Sequence, residues 1–150
     1  MNLFADIIFV KALHSCQSLI KLLPAKAVYN TAISLPDKDL VNVKLPYVIV
    51  AFDGLKTDNS TKDDNYTAST DEYKISIEIA AKNREQLGNI AELIRTTISS
   101  YFATNYGDDT DEDFALIPDD ISLEADRVVF DDRNPCYWQM LHYNCVKDSY

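Results

Sequence analysis

The chain holds only three glycines, five prolines, three cysteines and two histidines among its 150 residues, and each scarcity closes off a kind of function. Gly54, Gly88 and Gly107 lie too far apart for a phosphate-binding loop or a dinucleotide-binding turn, both of which need clustered glycines. His14 and His142 form no HExxH pair. In His14-Ser15-Cys16, residues two apart fall on different faces of a helix, so the pair does not converge on a metal. Cys16, Cys136 and Cys145 are odd in number and contain no CxxC, which suits reduced, partly buried thiols. No G-x-S-x-G elbow presents a nucleophilic serine. So little glycine and proline also excludes collagen-like and low-complexity chains, and no internal repeat is visible. No catalytic site and no cofactor are therefore expected.

Basic residues are outnumbered, 14 Lys and Arg against 24 Asp and Glu, for a net charge of −10. Such a surface does not grip nucleic acid by neutralising phosphates, and an anionic membrane repels it. It suits solubility, a basic partner, or a passage through which DNA slides without sticking. The apolar start, residues 1 to 23, lacks the marks of a signal peptide. Asp6 precedes the apolar stretch, no basic region opens it, and Lys11, His14 and Lys21 interrupt it. The same charges make it too polar for a membrane span. A soluble protein without a cleaved leader is the expectation.

What is present is 47 % apolar residues, enough for a real core in one domain of ordinary size. Leu3, Ile7, Val10 and His14, with Phe4 and Ile8, recur at helical spacing, and the stripe continues through Leu13, Cys16, Leu19, Ile20 and Leu23 to Pro24. This predicts a helix over 3 to 23, with room for a break near Ser15. Residues 27 to 33 form a weak strand, and 34 to 45 a loop. Residues 47 to 52, YVIVAF, are apolar on both faces and predict a central strand. The polar stretch 54 to 71 predicts a long hairpin loop. Tyr73, Ile75, Ile77, Ile79 and Ala81 alternate with Lys74, Ser76, Glu78 and Ala80, the period of a strand with one buried face. Asn83 and Gln86 form a capping box ahead of a helix to about Phe102, striped by Leu87, Ile90, Ala91, Ile94, Ile98 and Tyr101. Gly88 would permit a close approach there.

Residues 106 to 133 carry eleven carboxylates against Arg127 and Arg133, nearly all of the net charge. A short strand at 121 to 123 or at 127 to 130 is expected inside this segment, and a final aromatic-rich strand at 137 to 146. The run Asp108, Asp109, Asp111, Glu112, Asp113 does not fit a calcium loop, which needs Gly at its sixth position and Glu at its twelfth. From Asp109 those positions hold Phe114 and Asp120, and from Asp108 they hold Asp113 and Asp119. A solvated charged loop, a surface facing a pore or basic partner, and an acidic site for a divalent metal remain as readings of the run.

The expected fold is α+β: an antiparallel sheet of about four strands, two helices packed on one face, and a long hairpin loop. Residues 47 to 52 and 137 to 146 carry more apolar side chains than a solvent-facing sheet needs, which points to oligomer contact.

The succession of an N-terminal amphipathic helix, "LPYVIVAFDG", a polar hairpin tip, "EYKISIEIAAKN", "REQLGNIAELIRTTISSYF" and "CYWQMLHYNCV" resembles the tail-terminator and tail-completion proteins of long-tailed bacteriophages. The likeness covers roughly residues 3 to 147, with a longer insertion at 34 to 45 and a longer acidic segment than is usual. It implies a hexameric ring of copies of this chain in the virion tail, assembled in the host bacterial cytoplasm. Such a ring caps the tail tube, ends its polymerisation and offers a surface to the head-side connector or neck protein, with DNA only as passing cargo. In that setting Asp108, Asp109, Asp111, Glu112 and Asp113 would line or rim the channel. Asp58, Lys62, Asp63 and Asp64 would make contacts at the hairpin tip. A small acidic adaptor gripping a basic partner through residues 106 to 133 is the alternative, and an acidic-cluster hydrolase using divalent metal is a third.

Overall fold

The computed structural model describes residues 5–30, 44–58, 69–105, 117–133 and 135–149. Among them the chain forms helices α1 (Ala5–His14), α2 (Gln17–Leu22) and α3 (Arg84–Asn105). The strands are β1 (Tyr29–Asn30), β2 (Tyr47–Asp58), β3 (Ser69–Ala81), β4 (Asp120–Ala125), β5 (Val129–Asp131) and β6 (Cys136–Ser149). The fold is α+β, one six-stranded sheet in the order β1-β2-β3-β6-β4, with β5 also pairing β6. All pairs are antiparallel except β1 with β2.

The expected single N-terminal helix is two helices. Ser15 Oγ bonds back to the Ala12 carbonyl, and the Cys16 amide bonds to Leu13 O at 3.1 Å, one residue short of the α-helical step. Cys16 then turns to extended geometry as the cap of α2. The break is fixed from outside, because the Val28 amide donates to His14 Nε2 at 3.1 Å. α3 begins as its sequence prescribes: Gln86 N–H donates to Asn83 Oδ1 at 2.8 Å, and Gln86 Oε1 accepts from the Lys82 amide at 3.0 Å.

The three helices bury their apolar stripes against one face of the sheet. Ile8, Phe9 and Leu13 of α1, Leu19 of α2 and Leu87, Ile90, Ile94 and Ile98 of α3 pack on Val48, Val50, Tyr73, Ile75, Ile77, Ile79, Leu141 and Tyr143. Phe9 meets Phe102 edge to face, centroids 5.1 Å apart, and Tyr143 at 5.4 Å. Below α1, Asn30 Nδ2 donates to the buried Asp6 carboxylate at 2.8 Å. Gly88, expected to allow a close approach, faces open space instead: a Cβ there would meet nothing within 4 Å.

The largest departure from expectation is the central hairpin. Residues 54 to 58 and 69 to 71, expected as loop, are strand; 59 to 68 lie outside the described residues. The register shifts between Phe52 and Gly54, so Asp53 is an extra residue in β2. Gly54 sits at φ 150°, a conformation nearly confined to glycine. The bulge exchanges the faces of β2: Val48, Val50 and Phe52 turn to the helices before it, and Leu55, opposite Tyr73, after it. Beyond Leu55 the strands are held by polar pairs, Thr57 Oγ1 to Asp71 Oδ1 at 2.7 Å and Thr70 Oγ1 to Asp148 Oδ1 at 2.8 Å. These leave no apolar period to read.

The acidic segment holds two short strands, so the sheet has six strands and not about four. β4 and β5 pair with successive stretches of β6 and are separated at residues 126 to 128. There the Asp126 amide donates to Met140 O at 2.9 Å and Gln139 Nε2 donates to Asp126 O at 2.8 Å.

Candidate assembly surface

Alternation along β2, β3 and β6 sends every second side chain away from the helices, and the register stacks these residues in rows. Tyr47, Ala80 and Trp138 form the first row, with Val129 of β5 beyond Trp138. Ile49, Glu78 and Met140 form the second, with Tyr29 of β1 beside Ile49. Ala51, Ser76 and His142, then Glu124 of β4, form the third. Gly54, Lys74 and Asn144, then Ser122, form the fourth. No helix among the described residues packs on this face. It runs from apolar at the end of Tyr47 and Trp138 to polar at the end of Lys74 and Asn144.

The apolar end is half-desolvated within the chain. Ile49, Ala80 and Cys136 are buried, while Tyr47, Trp138 and Met140 are half-buried. Burial pushes the Tyr47 hydroxyl up to about 12, helped by the neighbouring Glu78 carboxylate. Glu78 lies between Ile49 and Met140, and burial holds its carboxyl above the usual glutamate range. A carboxylate among apolar neighbours with no described ion pair is a poor component of a finished surface, and suits one that a partner completes. At the polar end Ser76 Oγ donates to Asp53 Oδ1 at 3.1 Å, and His142 Nε2 lies 2.9 Å from Asp126 Oδ2. Among the described residues Phe130 of β5 is the most exposed large apolar residue, 54 % accessible, and its ring lies 5.0 Å from that of Tyr137.

Of the residues singled out in the sequence, Asp108, Asp109, Asp111, Glu112 and Asp113 lie outside the described residues, as do Lys62, Asp63 and Asp64. Asp58 is described: it ends β2, exposed and opposite Thr70. The described part of the acidic segment, 117 to 133, carries the edge strand β4. Asp119 accepts the Asp148 amide at 2.7 Å and lies 3.6 Å from Lys147 Nζ. Among the described residues no three His, Cys, Asp or Glu side chains are grouped so as to hold a metal ion. The three cysteines are unbridged. Burial pushes the Cys145 thiol up to about 12, and that of Cys136 upward, away from the thiolate a nucleophile needs. No helix among the described residues is long and apolar enough to cross a membrane.

The outer rows were partly visible in the sequence, as the apolar surplus in 47 to 52 and 137 to 146. Glu78 was not singled out, because alternation alone marks it as solvent-facing. Only the register puts Ile49 and Met140 on either side of it. No family model matches the chain, and no curated protein matches it.

Proposed function

We propose that this chain is a structural subunit that assembles with copies of itself through the outer face of its sheet, forming a hexameric ring of the phage tail-completion kind. The observation that carries this reading is the outer apolar end built from Tyr47, Ile49, Trp138 and Met140 around the half-buried Glu78. Such a surface gains by association, since roughly 25 cal/mol accrue per Å² of apolar area removed from water. The order of elements that resembles tail-terminator proteins supplies the architecture. In it the ring caps the tail tube, ends its growth and meets the head-side connector or neck protein. In this reading Asp108, Asp109, Asp111, Glu112 and Asp113 line or rim the channel and let DNA pass without sticking. Electron microscopy of the concentrated protein tests this: six-fold rings are expected, and a field of uniform single subunits contradicts it.

The acidic row along β4 and β5, with Asp119, Asp120, Glu124, Asp126, Asp131 and Asp132 against Arg127 and Arg133, favours a second reading. In it the chain is a small acidic adaptor for a basic protein. A salt-dependent complex with one such protein, lost on neutralising these carboxylates while Tyr47, Ile49, Trp138 and Met140 stay unchanged, would mark it.

A further inference from the structure

The groove between α3 and the edge strand β4 is separate from the outer face. It encloses about 450 Å³, within the range of small-ligand sites. Ile98 and Phe102 of α3 and Ile121 and Leu123 of β4 supply its apolar lining, Arg95, Asp119 and Asp120 its charged lining, and Tyr143 lines it as well. Tyr143 is 4 % exposed. Its hydroxyl is buried and finds no hydrogen-bond partner among the described residues. Leaving such a group unpaired costs more than a typical hydrogen bond contributes, so an orphan hydroxyl beside a groove calls for an occupant.

The chemistry around the hydroxyl defines that occupant. Burial pushes Tyr143 up to about 12, so it stands as an O–H donor, while the Arg95 guanidinium is near enough to pull it back down. Arg95 is exposed and bonded through two nitrogens to Glu92, one turn away on the same helix. An exposed pair of this kind contributes little to stability, so its arginine is cheaply recruited. One donor hydroxyl and one planar cation beside these apolar side chains match a carboxylate on an apolar stem, the Asp119 carboxylate of the lining being already held by the Asp148 amide and Lys147.

We propose that the α3–β4 groove is a binding site for an apolar carboxylate. The stem lies between Ile98, Phe102, Ile121 and Leu123. The carboxylate meets the Arg95 guanidinium first and accepts from the Tyr143 hydroxyl beneath it. Two sources offer this chemistry: a free organic acid and the carboxyl terminus of a peptide.

The test uses the whole chain and heteronuclear NMR titration with 3-phenylpropionate, its amide 3-phenylpropionamide, and acetyl-Leu-Phe with a free or an amidated carboxyl group. The expected result is saturable shifts at Ile98, Ile121 and Tyr143 with the acids, weaker by about tenfold with either amide. Arg95→Gln should weaken acid binding to the level of the amide. Tyr143→Phe should weaken the acid a few-fold while raising the melting temperature of the unliganded protein, because it removes an unpaired buried hydroxyl. Tighter binding of the peptide acid than of 3-phenylpropionate assigns the site to a chain terminus, and the reverse assigns it to a free acid. Equal binding of acids and amides overturns the proposal, as does the absence of saturable shifts. A lower melting temperature for Tyr143→Phe also overturns it, since the hydroxyl would then already have a partner.

Discussion

The two faces of the sheet are built from the same three strands and end in different states. On the inner face, Val48, Val50, Ile75, Ile77, Ile79 and Leu141 meet three helices and are nearly all sealed from water. On the outer face, the residues between them in sequence form rows that begin with Tyr47, Trp138 and Met140 and end with Lys74 and Asn144. The inner face is complete within one chain. The outer face is half-buried at its apolar end and holds a carboxylate between Ile49 and Met140, and in the proposed assembly a second chain covers it. A strand that alternates cleanly can thus carry a sealed core on one side and a half-covered apolar row on the other.

The strongest way to break this contrast is to truncate matched positions. Ile77→Ala should cost about 4 kcal/mol in chemical denaturation, since it leaves a cavity under α3. Met140→Ala should cost about 1 kcal/mol in the isolated chain, because it removes only half-buried area. Equal losses would mean that the outer face is sealed as the inner one is.

Next in size is the bulge where β2 exchanges its faces. Gly54→Ala should cost about 2 kcal/mol. The loss comes from φ 150° alone, since nothing crowds a Cβ there. An unchanged denaturation midpoint would show that the bulge relaxes freely. Gly88→Ala sharpens the point by opposite sign: on the exposed second turn of α3 it should add about 0.5–1 kcal/mol. A loss of stability there would mean that the helix needs the glycine.

The smallest effect concerns Glu78. Its carboxyl titrates higher in the folded chain than in the unfolded one, so the native state holds the proton over that window. The contribution of Glu78 to stability is therefore greatest below the ordinary glutamate range and declines as pH rises through the folded value. Glu78→Gln should melt higher than the parent at neutral pH, and the gap should close on acidification. A gap that widens towards acid would contradict the desolvation reading.

Much of the fold was legible because its main signals are apolar and periodic. The strand 73 to 81 announces itself by isoleucines at every second position, and α3 by its stripe and the Asn83–Gln86 box. The extended tips of β2 and β3 were hidden, since Thr57–Asp71 and Thr70–Asp148 hold them with side-chain hydrogen bonds in place of apolar pairs. The break between α1 and α2 depends on His14 accepting from Val28, a contact 14 residues distant that no local pattern encodes. β1 is two residues long and pairs in parallel, and β5 is three residues long, below the length at which alternation can be read. The surface was visible as an apolar surplus, but the position of Glu78 within it required the register of three strands.

The most direct measurement is the mass of the protein in solution, by light scattering on a sizing column across concentration, for the parent and for Trp138→Lys. A charge at Trp138 lies in the middle of the proposed contact, on a half-buried residue that the core does not need. The account predicts that the parent climbs with concentration towards six copies and that Trp138→Lys stays a folded monomer. A parent that remains a single chain at every concentration, or a variant that climbs alongside it, would contradict the claim that this chain assembles through its outer face.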